Sequence, residues 1–167
     1  RTIGEGSYGK VVEIERNEFG LSMKSALKII SIPGNNSELK AVMGEGVDNK
    51  SITSYFYGFV EEIIKEIAIM SELKGHTNIV TYEDHRVIPH EDHIGWDILI
   101  RMELLTSLLD YSEEHEITEQ TVIKLGTDIL TALEVCQKYH VVHRDIKPEN
   151  IFVSATGDFK LGDFGIA

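Results

Sequence analysis

The run His143-Arg144-Asp145-Ile146-Lys147-Pro148-Glu149-Asn150, followed 13 residues after Asn150 by Asp163-Phe164-Gly165, constrains this chain more than any other feature. Between the two pieces lie Ile151-Phe152-Val153 and Phe159-Lys160-Leu161, short apolar runs separated by Thr156-Gly157-Asp158, which read as a hairpin. Asp145, Lys147, Asn150 and Asp163 therefore sit on two loops around one short strand pair. Those residue types supply a base for a hydroxyl proton, a cation for a phosphate and two oxygen ligands for Mg²⁺. A polar loop that held these types by accident would need to match eight consecutive positions.

Composition narrows the setting. In 167 residues, 28 Asp and Glu outnumber 16 Lys and Arg, a net charge of −12. Such a surface repels nucleic acid and anionic membrane, so neither is an expected partner, although a local basic cleft is compatible with it. The single cysteine, Cys136, excludes an internal disulfide framework and a multi-cysteine zinc site. No apolar run approaches the roughly 18–20 residues that span a bilayer. No signal peptide is read at the start, Arg1 does not read as a true first residue, and the expected compartment is a reducing cytoplasm, with a membrane anchor beyond this segment left open.

The periodicity predicts an α+β chain with a mostly β first half. Val11, Val12 and Ile14 follow a Gly-rich turn, and Asn17-Glu18-Phe19-Gly20 reads as a hairpin connection to a strand over Ala26–Ile30. Residues 34–52, after Pro33, are polar and without clear period, and read as a surface insertion. Phe56, Val60, Ile63, Ile67 and Met70 recur at spacings of three and four, which predicts a helix from about Ser54 to Leu73 stopped by Gly75. Strands are expected at Val80–Ile88 and Trp96–Leu104, joined by Pro89–Gly95. A second helix is expected over about Glu119–Tyr139, with Thr118 as N-cap and an apolar stripe of Val122, Leu125, Ile129, Ala132, Leu133 and Cys136.

Three further features carry chemistry. Gly4-Glu5-Gly6-Ser7-Tyr8-Gly9 is a Gly-rich segment of the kind that lets backbone N–H groups approach phosphates. The strand-like Val11-Val12-Glu13-Ile14 that follows favours a β-hairpin flap over a strand-to-helix dinucleotide loop, with an ordinary hairpin turn as the plain alternative. Lys28 stands inside an apolar strand, where an ammonium needs a partner or an edge from which to snorkel. Glu66 lies at the edge of the first helix's apolar stripe, within reach of such a lysine or else simply solvated beside Lys65 and Glu62.

Taken in order, the Gly-rich segment, the strand lysine, the helix glutamate, the catalytic-loop run and Asp163-Phe164-Gly165 resemble the eukaryotic-like serine/threonine protein kinases over nearly the whole chain. The resemblance implies a β-rich N-lobe with one main helix and the start of a helical C-lobe, divided as 1–105, including the hinge and an insertion at about 33–52, and 106–167. It implies that the backbone of Gly4, Glu5, Gly6, Ser7 and Gly9 covers the phosphates of ATP. Lys28 would hold the α- and β-phosphates and pair with Glu66. Met102 would be the gatekeeper, with Glu103, Leu104 and Leu105 as the hinge that hydrogen-bonds adenine. Val11, Ala26 and Phe152 would sandwich the ring. Asp145 would accept the substrate hydroxyl proton, Lys147 would neutralise the γ-phosphate, and Asn150 and Asp163 would ligate Mg²⁺. Met70, Tyr82, His143 and Phe164 would stack into a spine. The implied partner is a protein substrate phosphorylated on Ser or Thr.

The sequence departs from that pattern in places. Lys28 and Glu66 stand 38 residues apart, wider than the family interval, which matches the insertion and an extended helix start. The insertion and Ile100–Leu105 give the chain a likeness to bacterial members. Arg144 beside Asp145 implies an activation loop regulated by phosphorylation, and the chain is expected to stop before that loop, leaving the 119–139 helix with exposed apolar surface. His85, His90 and His93 near Glu91 and Asp92 read as a solvated hairpin loop or, less simply, a metal site. Cys136 reads as a core thiol and Trp96 as packing at a strand start. A pseudokinase or scaffold, and a small-molecule kinase of related fold, are the competing classes.

Overall fold

The computed structural model describes residues 1–6, 9–43 and 48–164. Ser7 and Gly165 therefore lie outside the described residues. The chain forms two units, described here one at a time: Arg1–Ile67 with Glu83–Met102, and Ala68–Tyr82 with Glu103–Ala167.

The first unit is built on a five-stranded sheet, with β1 (Thr2–Gly6), β2 (Gly9–Glu18), β3 (Leu21–Ile32), β4 (Tyr82–Pro89) and β5 (Trp96–Glu103) in the order β1-β2-β3-β5-β4. β1 and β2 pair antiparallel with Gly6 opposite Gly9, so the Gly-rich segment joins strand to strand, as expected of a flap. β2 and β3 pair antiparallel from Lys10↔Ile29 to Glu18↔Leu21. Phe19 and Gly20 close that hairpin with φ of 50° and 81°, the two positive values of a type I′ turn. At the β4–β5 turn the His90 N–H donates to the Gly95 carbonyl, and the His90 ring meets Asp97 at 3.2 Å.

Residues 34–52, read as a surface insertion without clear period, contain regular structure that the sequence reading did not name. They carry α1 (Asn36–Val42) and the first residues of α2 (Asn49–Glu72). Asn35 caps α1 by accepting from the N–H groups of Ser37 and Glu38, while the Glu38 carboxylate takes the Gly34 N–H. Asp48 takes the Ser51 N–H at the head of α2. Ile52 is buried along with Phe56, Val60 and Ile67, so the apolar stripe starts one turn earlier than its period suggested.

The second unit sets α3 (Leu108–Glu114) and α4 (Glu119–Lys138) beside a three-stranded sheet, β6 (Thr106–Ser107), β7 (Ile151–Val153) and β8 (Phe159–Leu161), in the order β6-β7-β8. Thr118 caps α4 through the Thr121 N–H, as expected. The short α3, capped by Ser107, was not anticipated. Along the α4 stripe Ala132 and Cys136 are buried, while Val122 is 53% exposed. The core of this unit joins Leu73, Ile79, Ala132, Cys136, Ile151, Val153, Phe159, Leu161 and Phe164. The strand expected from Val80 begins two residues later. Val80 instead donates its N–H to the Leu161 carbonyl, at the parallel bridge between Ile79 and Leu161. No helix among the described residues is long and apolar enough to cross a membrane.

Candidate active site

In the first unit, strand register gathers three of the expected residues. Val11 lies directly across from Lys28, and Ala26 lies two residues before Lys28, so all three occupy one face of the sheet. Ala26 is buried, and Val11 and Lys28 are half-buried. At the head of β2, Gly9 has φ of 121°, and a Cβ there would collide with the Ile29 carbonyl, so only glycine fits. Gly4 and Glu5 lie on β1. Glu66 is 9% exposed on α2, and Met102 is half-buried near the end of β5.

In the second unit, the catalytic-loop residues meet at hydrogen-bond distance. The Asn150 amide Nδ2 donates to the Asp145 carbonyl at 2.8 Å and to its carboxylate Oδ2 at 3.0 Å. The Lys147 ammonium lies 2.7 Å from the same Oδ2. Lys147 holds the Asp145 carboxyl below its ordinary range, helped by the Asn150 amide, and Asp145 in turn raises Lys147. Asp145 is therefore an ionised acceptor at neutral pH, exposed and held in one orientation.

Two buried residues fix the ends of this loop. His143 is 2% exposed; its Nε2 lies 2.9 Å from the Gly162 carbonyl, and its Nδ1 accepts from the Asp145 N–H at 3.4 Å. An imidazole that accepts at Nδ1 and donates at Nε2 is the neutral tautomer with its proton on Nε2. Asn150 is 5% exposed, and its carbonyl accepts the Gly162 N–H at 2.9 Å. Gly162 thus ties both ends of the loop to the strand that leads into Asp163. A Cβ at Gly162 would sit 2.6 Å from Val80 Cγ2 and 3.0 Å from Phe152 Cε2, so a side chain there must displace both.

Arg144 and Asp163 have φ of 65° and 54°, left-handed values that cost energy for residues with a Cβ. Such outliers persist where the surroundings over-determine them, and here they flank Asp145 and Phe164. Of the expected spine residues, His143 and Phe164 meet with ring centroids 4.8 Å apart, Met70 packs on the core that contains Phe164, and Tyr82 is buried under the Lys74 ammonium.

Sequence reasoning passed over two anchors of this region. Asn78 is buried and donates its amide to the Phe159 carbonyl at 2.9 Å, fixing β8 from the segment after α2. Lys160, 9% exposed, reaches the Glu103 carboxylate at 2.7 Å. The signal for Lys160 was available: it is a charge inside an apolar run, the same observation that singled out Lys28.

Comparison with known proteins agrees with the geometry. The protein kinase domain family model matches residues 1–167. The chain is 32% identical to the Saccharomyces cerevisiae serine/threonine-protein kinase AKL1, covering 98% of this chain and 14% of that protein. It is 30% identical to human serine/threonine-protein kinase Nek2, covering 99% of this chain and 34% of that protein. It is also 30% identical to cyclin-dependent kinase 1 of Encephalitozoon cuniculi, covering 98% of this chain and 48% of that protein. The chain thus spans less than half the length of each of these relatives. The motif order, the strand-to-strand Gly-rich segment, the anchored Asp145 loop and the full-length family match lead to one conclusion: this chain belongs to the protein kinase domain family.

Proposed function

We propose that the chain is the catalytic part of a serine/threonine protein kinase that transfers the γ-phosphate of ATP to hydroxyls of protein substrates. The observation that carries this reading is the Asp145 carboxylate, ionised, exposed and oriented by Lys147 and Asn150 at 2.7 and 3.0 Å. Phosphoryl transfer asks little covalent chemistry of the protein; positioning and charge neutralisation supply most of the acceleration. Asp145 accepts the proton of the attacking hydroxyl. Lys147, on the same carboxylate, is placed to neutralise charge on the phosphoryl group. Lys28, paired with Glu66, and the backbone of the Gly-rich segment hold the other phosphates, and Val11, Ala26 and Phe152 take the adenine ring. Met102 stands as gatekeeper before the hinge backbone of Glu103 and Leu105.

Asn150 and Asp163 fit a magnesium ion by their chemistry. The Asn150 amide hydrogens are engaged by Asp145, which leaves oxygen as its ligating atom, and Asp163 offers a carboxylate. A hard divalent cation takes oxygen ligands from one or two protein groups and completes its shell with phosphate and water. When bound, Mg²⁺ would neutralise phosphate charge. The relatives named as serine/threonine kinases support Ser and Thr as acceptors.

The test is a Mg-ATP phosphotransfer assay on the full-length protein. Asp145→Asn keeps the side-chain shape and removes the base, so turnover should fall by about 10²–10⁴-fold with the fold retained. Near-wild-type turnover in Asp145→Asn would sink the assignment.

A further inference from the structure

We infer that Lys160 is a positioning residue for the adenine nucleotide, acting through the backbone of Glu103–Leu105; the inference rests on the kinase reading above. A buried ammonium needs a partner, and the partner of Lys160 is Glu103 Oε1 at 2.7 Å. That same oxygen accepts the Thr81 N–H at 2.6 Å, while the Glu103 N–H donates to the Thr81 carbonyl at 3.1 Å. Glu103 is thereby held by its side chain and its backbone at once.

On the other side of the short segment, Thr106 pairs with Val153 and Ser107 with Phe152 on β7. Leu104 and Leu105 are the whole span between these two fixed points. One end is fastened to β8 by Lys160, the other to β7 by strand pairing. Lys160 is also the direct cross-strand partner of Phe152. Opposed residues of an antiparallel pair project from the same face, so one face of one hairpin presents both the residue proposed to floor the adenine ring and the residue that fastens the hinge. A single rigid hairpin therefore sets the distance between ring floor and hinge backbone. Lys160 touches no reacting atom in this scheme; it acts through Glu103.

A merely structural ion pair predicts loss of stability and nothing selective. The positioning role predicts a selective loss of nucleotide affinity. On the full-length protein, Lys160→Met should raise the KM for ATP roughly tenfold, with kcat and the KM for the protein substrate each moving less than about threefold. Lys160→Arg, which can still donate to the carboxylate, should return the KM for ATP to within about threefold of wild type. Adding Glu103→Gln to Lys160→Met should raise it no further, because both changes cut one interaction. If Lys160→Met does not fold, Glu103→Gln alone supplies the same readout.

An unchanged KM for ATP in both variants overturns the inference. So does a parallel loss in every kinetic constant that Lys160→Arg fails to rescue. Calorimetric ATP binding keeps the two claims apart. A wild-type protein that binds ATP without transferring phosphate ends the kinase reading, and a tenfold weaker Kd in Lys160→Met still upholds the clamp. A wild-type protein that binds no ATP ends both.

Discussion

Residues 144–149 and residues 150–164 follow one another in the chain and treat their side chains in opposite ways. Every side chain from Arg144 to Glu149 is exposed, whereas Asn150, Ile151, Val153, Phe159, Lys160, Leu161 and Phe164 are buried. The loop nevertheless has a defined shape, because His143 and Asn150 hold it from both ends through Gly162. Groups that meet a substrate need solvent and reach; the groups that aim them need packing. The two demands are met by neighbouring segments joined through backbone hydrogen bonds. Stability and activity should therefore separate along this stretch.

The largest stability effect is expected in the hairpin. Phe159 is 2% exposed, stands edge-on to Tyr111 with centroids 6.0 Å apart, and lies under the Lys124 ammonium. Phe159→Ala removes a buried ring and leaves a cavity, so chemical denaturation of the full-length protein should show a loss of about 3–5 kcal/mol. Asp145→Asn, in the exposed loop before the hairpin, should change stability by less than about 0.5 kcal/mol. Equal losses from the two substitutions would break the division between loop and hairpin.

Gly162 tests the joint between them. Its missing Cβ leaves room for Val80 and Phe152, so Gly162→Ala should cost about 1–3 kcal/mol by overpacking. It should also lower turnover, because both loop anchors bond to the backbone of this residue. A Gly162→Ala protein with normal turnover and a normal denaturation midpoint would show that the joint tolerates movement.

The catalytic loop was the most legible part of the chain, because its residue types are dictated by chemistry and stand at fixed short spacings. The hairpin after it was legible as well, from two apolar runs around a turn. α1 and the head of α2 were missed because residues 34–52 lack apolar period; their signals were the caps, Asn35 with Glu38 three residues on, and Asp48. Period alone also does not tell that Val122, on the same stripe as Ala132, stays exposed. Periodicity finds which residues share a helix face, while how far along the helix that face is covered depends on the neighbours, here Ala132 and Cys136 against β7 and β8. Lys160 showed as a charge inside an apolar run, but its pairing was hidden for a different reason: Glu103 lies 57 residues earlier, and no local pattern links the two.

The smallest expected effect sharpens the comparison at the loop itself. Lys147 hydrogen-bonds the Asp145 carboxylate and is the first cause of its lowered pKa, with the Asn150 amide contributing. A carboxyl whose folded pKa lies below its unfolded value of about 3.9 adds stability above that unfolded value and loses it as pH falls through the folded one. Both side chains are about half exposed, so solvent screens the stability part and the consequence to measure is the titration. Lys147→Met should move the Asp145 titration upward, toward the ordinary carboxylate range, with part of the depression kept by the Asn150 amide. Carbon-13 NMR of the Asp145 carboxyl in the wild-type and Lys147→Met proteins reads this directly. Coincident titration curves would mean that the buried Asn150 sets the Asp145 charge unaided, making the electrostatics of the exposed loop, like its shape, a product of its buried anchor.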